Sequence, residues 1–220
     1  MSRARMSKAA NAIMNLPQGF RYAATYAGIR KVVKPDVALI VSDTPATAAA
    51  VFTQNRVVAA PVTLARKNLK TSRGKACAFL INAGNANCAT RTGEQVAAET
   101  VRAAAKALGI RPEHVLPAST GVIGVEMDAG KVVEALPKLA AELDAAYFDT
   151  AAAAIMTTDL VPKTAFAEIK SGRKVAYVAG MTKGSGMIHP NMATTLGFVV
   201  TDAAVTPAAL RSALKRAIGR

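Results

Sequence analysis

Hydroxyls, amines and glycines, rather than metal ligands, carry the reactive chemistry of this sequence. In KGSGMIHPNMATTLGFVVTDA, Lys183 to Ala203, a lysine precedes a glycine-loosened stretch and a Pro-Asn pair, and Thr194 and Thr195 stand directly before an apolar, β-branched run. Gly184 and Gly186 admit positive φ, Pro190 stiffens the entry, and Ala193 presents an unhindered carbonyl to the hydroxyl that follows it. Such a peptide bond is open to attack from its own side chain. Addition of the Thr194 Oγ to the Ala193 carbonyl breaks the C–N bond and leaves an ester, and water then frees a threonine with its own α-amino group. With an unperturbed pKa of about 7.7–8.0, that amine is a base for the neighbouring hydroxyl near neutral pH. One residue is then nucleophile and base together. His189, just before Pro190, reads as a polar loop residue near this point, with a base on either threonine as its second reading.

The hydroxyl must be held by a strand, and the run TLGFVVTDA predicts one from about Leu196 to Thr201. Upstream, the chain alternates strands and helices without repeats. Three apolar runs, around VALIVS, AAVFTQ and VVAAPVTLA, read as strands divided by turn chemistry at Asp43-Thr44-Pro45 and Gln54-Asn55-Arg56. Their lack of in/out alternation predicts strands covered on both faces. CAFLINAG is another such run. A helix is predicted from Thr92-Gly93-Glu94 to about Leu108, stopped by Gly109, with others near 129–143 and 145–156. TAFAEI and KVAYVAGM form a hairpin about Ser171-Gly172-Arg173, and Thr206-Pro207 opens a capped helix. The residues alone give an α/β fold with thick apolar layers.

Composition narrows the function classes. At 220 residues and 51% hydrophobic content, the chain has the material for one domain with a substantial core. No run approaches the length of a membrane span and the basic start lacks a secretory core segment, so the expectation is a cytoplasmic protein with no membrane role. The net charge of +14 is lopsided: residues 1–75 hold 13 Lys/Arg against Asp36 and Asp43. These basic residues are scattered singly among apolar ones, with few aromatics, which argues against nucleic acid as a partner and for a solvated face or an acidic protein partner. Cys77 and Cys88 read as reduced thiols, and no metal-ligand spacing appears.

Taken alone, ASTGVIG (Ala118 to Gly124) reads as a tight strand-to-helix turn, Lys183 as a solvated amine, and Thr157 and Thr158 as capping or edge residues. Their joint occurrence with KGSGMIHPNMAT changes that. Together with FRYAATYAGIR, PATAAAVFTQN, NAGNANCATRTG, LPASTGVIG and IMTTDLVPK, in one order from about Gly19 onward, the segment closely resembles the self-cleaving ornithine acetyltransferase / glutamate N-acetyltransferase family of arginine biosynthesis.

That resemblance implies cleavage between Ala193 and Thr194, with residues 1–193 an α-chain portion and 194–220 the start of a β-chain portion of the same structural domain. It makes Thr194 the acetylated nucleophile, places the oxyanion hole at Thr120 and Gly121, and makes Lys183 and Thr157, with Thr158 as fallback, substrate contacts. NAGNANCATRTG receives no residue-level role. Acetyl passes from N-acetylornithine to glutamate without a cofactor, acetyl-CoA being a further donor in some relatives. The implied fold is a layered α-β-β-α sandwich, and the implied assembly an α2β2 heterotetramer. Family members run to roughly twice this length, so the expectation is a truncated chain that lacks the remainder of the β-chain portion. Thr195 departs from the pattern, relatives more often having an apolar residue there. Two other readings stand beside this one: a self-processing hydrolase of the same chemistry, and an inactive fragment that assembles with a partner.

Overall fold

The computed structural model describes residues 16–185 and 195–219. Strand β1 (Phe20–Thr25) pairs antiparallel with β2 (Val37–Thr47), which pairs antiparallel with β3 (Lys75–Asn85). β4 (Val115–Val122) lies parallel to β3, giving a four-stranded sheet in the order β1-β2-β3-β4. A parallel pair needs a long crossover, and α2 (Gly93–Leu108) supplies it after α1 (Ala60–Thr71) has preceded β3. Gly109 ends α2 in the left-handed conformation, φ 66°, which frees the chain to turn back toward β4. α3 (Ala129–Ala141), capped by the Asp128 side chain, and the short α4 (Phe148–Ala154) follow.

The run of five buried residues from Val37 to Val41 has side chains on both faces of this sheet. Leu39 and Val41 join Leu80 and Val115 under a layer that includes Val101 and Ala104 of α2 and Val132, Leu136 and Leu139 of α3. Ala38, Ile40, Tyr22 and Ile81 face the other way, onto Phe148 and Ile155 and onto a second sheet. Each fully buried Leu or Ile contributes about 1.5–3 kcal/mol of burial free energy, so the alternation commits both faces strongly.

The second sheet is antiparallel, with β5 (Lys163–Ser171), β6 (Lys174–Lys183) and β7 (Leu196–Thr201) in that order. Ala179, Met181, Phe198 and Val200 form its inner face. Its outer face carries the register rows Ala165–Gly180–Val199 and Ala167–Val178–Thr201, with Val199 61% exposed. The described layers therefore run helix, sheet, sheet. α5 (Pro207–Ile218), whose N-cap Thr206 accepts from the Ala209 amide, contains no buried residue.

Two predicted strands are absent. VVAAPVTLA instead opens α1: Pro61 at the first turn presets helical φ, and burial of Pro61, Ala65 and Asn68 follows helical spacing. AAVFTQ forms no strand: β2 ends just before it at Thr47, opposite Lys75 at the start of β3. The predicted turn at Asp43-Thr44-Pro45 is a register shift inside β2 between Val41 and Ala46, the kind of place where a sheet tolerates proline. The helix predicted over 145–156 divides into a 3-10 turn at Ala145–Tyr147 and α4.

Candidate active site

The parallel pairing of β3 with β4 brings their C-terminal ends side by side, Gly84 opposite Gly121. Gly121 has φ 136°, and a Cβ there would lie 2.2 Å from the Gly84 carbonyl carbon and 2.5 Å from the Asn85 nitrogen. Only glycine lets the two main chains approach this closely. Gly84, at φ 109°, is covered in turn: a Cβ there would meet the Arg30 Cγ at 2.9 Å. Arg30 is fixed at both ends. The buried Asp36 carboxylate accepts from the amides of Ala27 at 2.7 Å, Ile29 at 2.8 Å and Arg30 at 2.9 Å. Its guanidinium donates to the Ala154 carbonyl at 2.8 Å and to that of Met156, both just before Thr157.

Lys183, the last residue of β6, is 6% exposed and its Nζ donates to the Thr120 Oγ1 at 3.0 Å. Two residues 63 positions apart, both expected at the site, thus meet. Burial lowers the Lys183 pKa, Asp159 opposes that, and Lys163 and Arg30 add to the lowering. The threonine loop joins the same place. Thr158 Oγ1 lies 3.0 Å from Ser185 Oγ, and the Thr157 amide donates to Asp159 Oδ2 at 3.4 Å. The Asp159 carboxylate also accepts from the Gly184 amide at 2.9 Å and pairs with Lys163. Burial alone raises its pKa, but the hydrogen bonds from Lys163, Gly184 and Thr157 prevail and bring it down to about 2.

Thr194, Ala193 and His189 lie outside the described residues. The flanks of their segment are described: Ser185 sits beside Thr158, and Thr195 precedes Leu196, which pairs with Lys183 and whose carbonyl accepts from Thr182 Oγ1 at 2.8 Å. The described residues that flank 186–194 therefore lie close to Lys183 and its contact with Thr120.

NAGNANCATRTG is the brace of this region. Asn85 Nδ2 donates to the Val125 carbonyl at 3.0 Å and the Gly124 amide to that of Cys88 at 2.9 Å. The Glu126 carboxylate accepts from the Arg91 amide at 2.7 Å and from the Thr92 amide and hydroxyl. The loop after Gly121 is so tied on its far side. Sequence reasoning missed Arg30, Gly84 and Asp159 as members of the site. The i, i+4 spacing of Asp159 and Lys163 was the available signal for one; Arg30 and Gly84 carry none short of the pairing itself. Among the described residues, no group of three or more His, Cys, Asp or Glu is placed to hold a metal ion, both cysteines are free, and no helix is long and apolar enough to cross a membrane.

In this two-sheet α/β fold, hydroxyls, tightly crossed glycines and one buried ammonium converge at a strand end, and donors of these kinds suit an oxyanion and a carboxylate. Comparison with known proteins is specific. The model of the ArgJ family matches residues 21–220, and the chain belongs to that family. The arginine biosynthesis bifunctional protein ArgJ of Nitratidesulfovibrio vulgaris is 50% identical over 205 residues, 93% of this chain and 52% of that protein. The chain spans about half the length of the curated relatives it matches. The crystal structure of Bacillus halodurans ArgJ superposes with a TM-score of 0.76 at 33% identity, covering 80% of this chain and 92% of that one. The ornithine acetyltransferase of Mycobacterium tuberculosis, crystallised with ornithine, gives a TM-score of 0.71 at 35% identity, covering 81% and 95%.

Proposed function

We propose that this chain is the first portion of an acetyltransferase that moves acetyl from N-acetylornithine to glutamate through an ester on Thr194. In this reading residues 1–193 become the α portion and Thr194 begins the β portion. Thr194 Oγ adds to the Ala193 carbonyl, the peptide C–N bond breaks to leave an ester and a free Thr194 amine, and water then cleaves the ester to the Ala193 carboxylate and the Thr194 hydroxyl. That amine takes the hydroxyl proton as Oγ attacks the acetyl carbonyl of N-acetylornithine; the amide C–N bond breaks and ornithine leaves with the proton. The glutamate amine then attacks the ester, giving N-acetylglutamate and restoring the hydroxyl. Thr120 and Gly121 supply donors to the oxyanion of each tetrahedral intermediate. Lys183, with Thr157, receives the α-carboxylate that donor and acceptor share. Acetyl-CoA is a second donor to be tested. The rest of the β portion completes the site and the α2β2 assembly.

The observation that carries this reading is the buried Lys183–Thr120 hydrogen bond, close to the described residues that flank 186–194. Chain lengths lend support. The solved relatives' chains are almost wholly covered by about four-fifths of this one, while the curated relatives run to about twice its length, as expected of precursors cut near this threonine.

The test uses the completed protein, this chain joined to the C-terminal half of a relative. Intact mass and N-terminal sequencing are expected to find a fragment beginning Thr-Thr-Leu-Gly, and loss of N-acetylornithine to require glutamate. Thr194→Ala leaves the chain unbroken and transfer absent. Glutamate-independent release of acetate would select the hydrolase reading instead, and undiminished transfer by Thr194→Val would remove Thr194 as the nucleophile.

A further inference from the structure

Lys183 meets a carboxylate only as an ammonium, and it is buried where an ammonium is disfavoured. Among the described residues, the groups that act on it are the neutral Thr120 hydroxyl, the cations Arg30 and Lys163, and one anion, Asp159. We propose that Asp159 is a positioning residue of this site, whose buried carboxylate clamps the Thr157 loop to the Gly184 amide directly after Lys183 and sets a negative charge near the lysine that is to meet a substrate carboxylate. The proposal rests on the acetyl-transfer reading only for the identity of the anion that Lys183 meets.

The geometry assigns the carboxylate this double task. Its side chain is 1% exposed, and its two oxygens are divided between different pieces of chain. Oδ1 takes the Gly184 amide and the Lys163 ammonium, while Oδ2 takes the Thr157 amide. Gly184 directly follows Lys183, so the oxygen that fixes the exit of β6 also sets its negative charge near the lysine. An asparagine side chain has the same shape but one accepting oxygen and no charge, so it keeps one amide at most and none of the field. Lys163 is a partly exposed counter-ion, and with Asp159 engaged to it, part of the field at Lys183 is neutralised.

The test is a titration of the 220-residue chain labelled with carbon-13 at lysine Cε, the Lys183 signal being assigned through Lys183→Arg. In Asp159→Asn the Lys183 midpoint falls below that of the unsubstituted chain, and in Lys163→Met it rises above it. Opposite shifts come from charge; loosened packing does not give them. An unmoved midpoint in Asp159→Asn, or shifts of the same sign in both variants, overturns the proposal. Should Asp159→Asn fail to fold, Asp159→Ser decides, since it also removes the charge: a Lys183 midpoint that does not fall overturns the assignment. Titration needs neither substrate nor cleavage, so its failure leaves the acetyl-transfer reading standing, and failure of the Thr194 test leaves this one standing.

Discussion

A methyl group at position 121 would sit 2.2 Å from the Gly84 carbonyl carbon and 2.5 Å from the Asn85 nitrogen, both main-chain atoms of the neighbouring strand. Thr120 is aimed by that crossing, since no side chain separates β4 from β3 at the next residue. Asp159 has a comparable hold on its surroundings, and its titration makes the hold measurable. A carboxyl at about 2, against the ordinary 3.8, is depressed in the folded chain. Its contribution to stability is therefore complete above pH 4 and is lost as pH falls toward 2, on the order of 2 kcal/mol in all. Urea unfolding at a series of acidic pH values is expected to show this loss in the unsubstituted chain and to lack that part of it in Asp159→Asn. At this scale the expectation for Lys183 and Thr120 comes from the family resemblance, because the motif surrounds each of them, and the structure adds that the two side chains meet. Asp159 lies within IMTTDLVPK, yet its residue type gives no sign of its partners, because Gly184 and Thr157 meet it through main-chain amides.

Between elements, the link that matters is Arg30. Its stem lies over Gly84, and its fork reaches the carbonyls of Ala154 and Met156 at the end of α4, so one side chain spans the β3 end and the threonine loop. Arg30→Met keeps the stem and removes the fork. The expected result is a loss of about 1–3 kcal/mol with amide exchange rising first between residues 154 and 158, and Arg30→Lys does not restore it, because a point donor replaces a planar pair. Exchange rising equally everywhere would show that the fork holds no particular element. The β7 bounds, the hairpin and α2 were all readable from local pattern and capping residues. α1 was not: β-branched residues favoured a strand, while Pro61 in the first turn and burial at helical spacing went with a helix. The two sheets facing each other across Phe79 and Phe198, ring centroids 5.2 Å apart, could be expected only from the resemblance, since periodicity reports which face is buried and not against what.

For the molecule as a whole, the small and apolar rows on the outer side of the second sheet, with Val199 61% exposed, suit a further packed layer. Charge agrees in direction, the excess of base in residues 1–75 being suited to a more acidic complement. The strand β7 adds something else. It is zipped to β6 over Leu196–Thr201, inserts Phe198 and Val200 into the inter-sheet core, and is pinned at its far end by Asp202, whose carboxylate takes the amides of Tyr177 at 2.7 Å and Gln18 at 3.0 Å. A break anywhere from 186 to 194 would thus sever the backbone and leave the two polypeptides in register. The completed protein is expected to run as two bands on a denaturing gel and to elute as one species from a native sizing column; a smaller piece eluting by itself would mean that the zipper and its pin are too weak to keep a newly made chain end at its post.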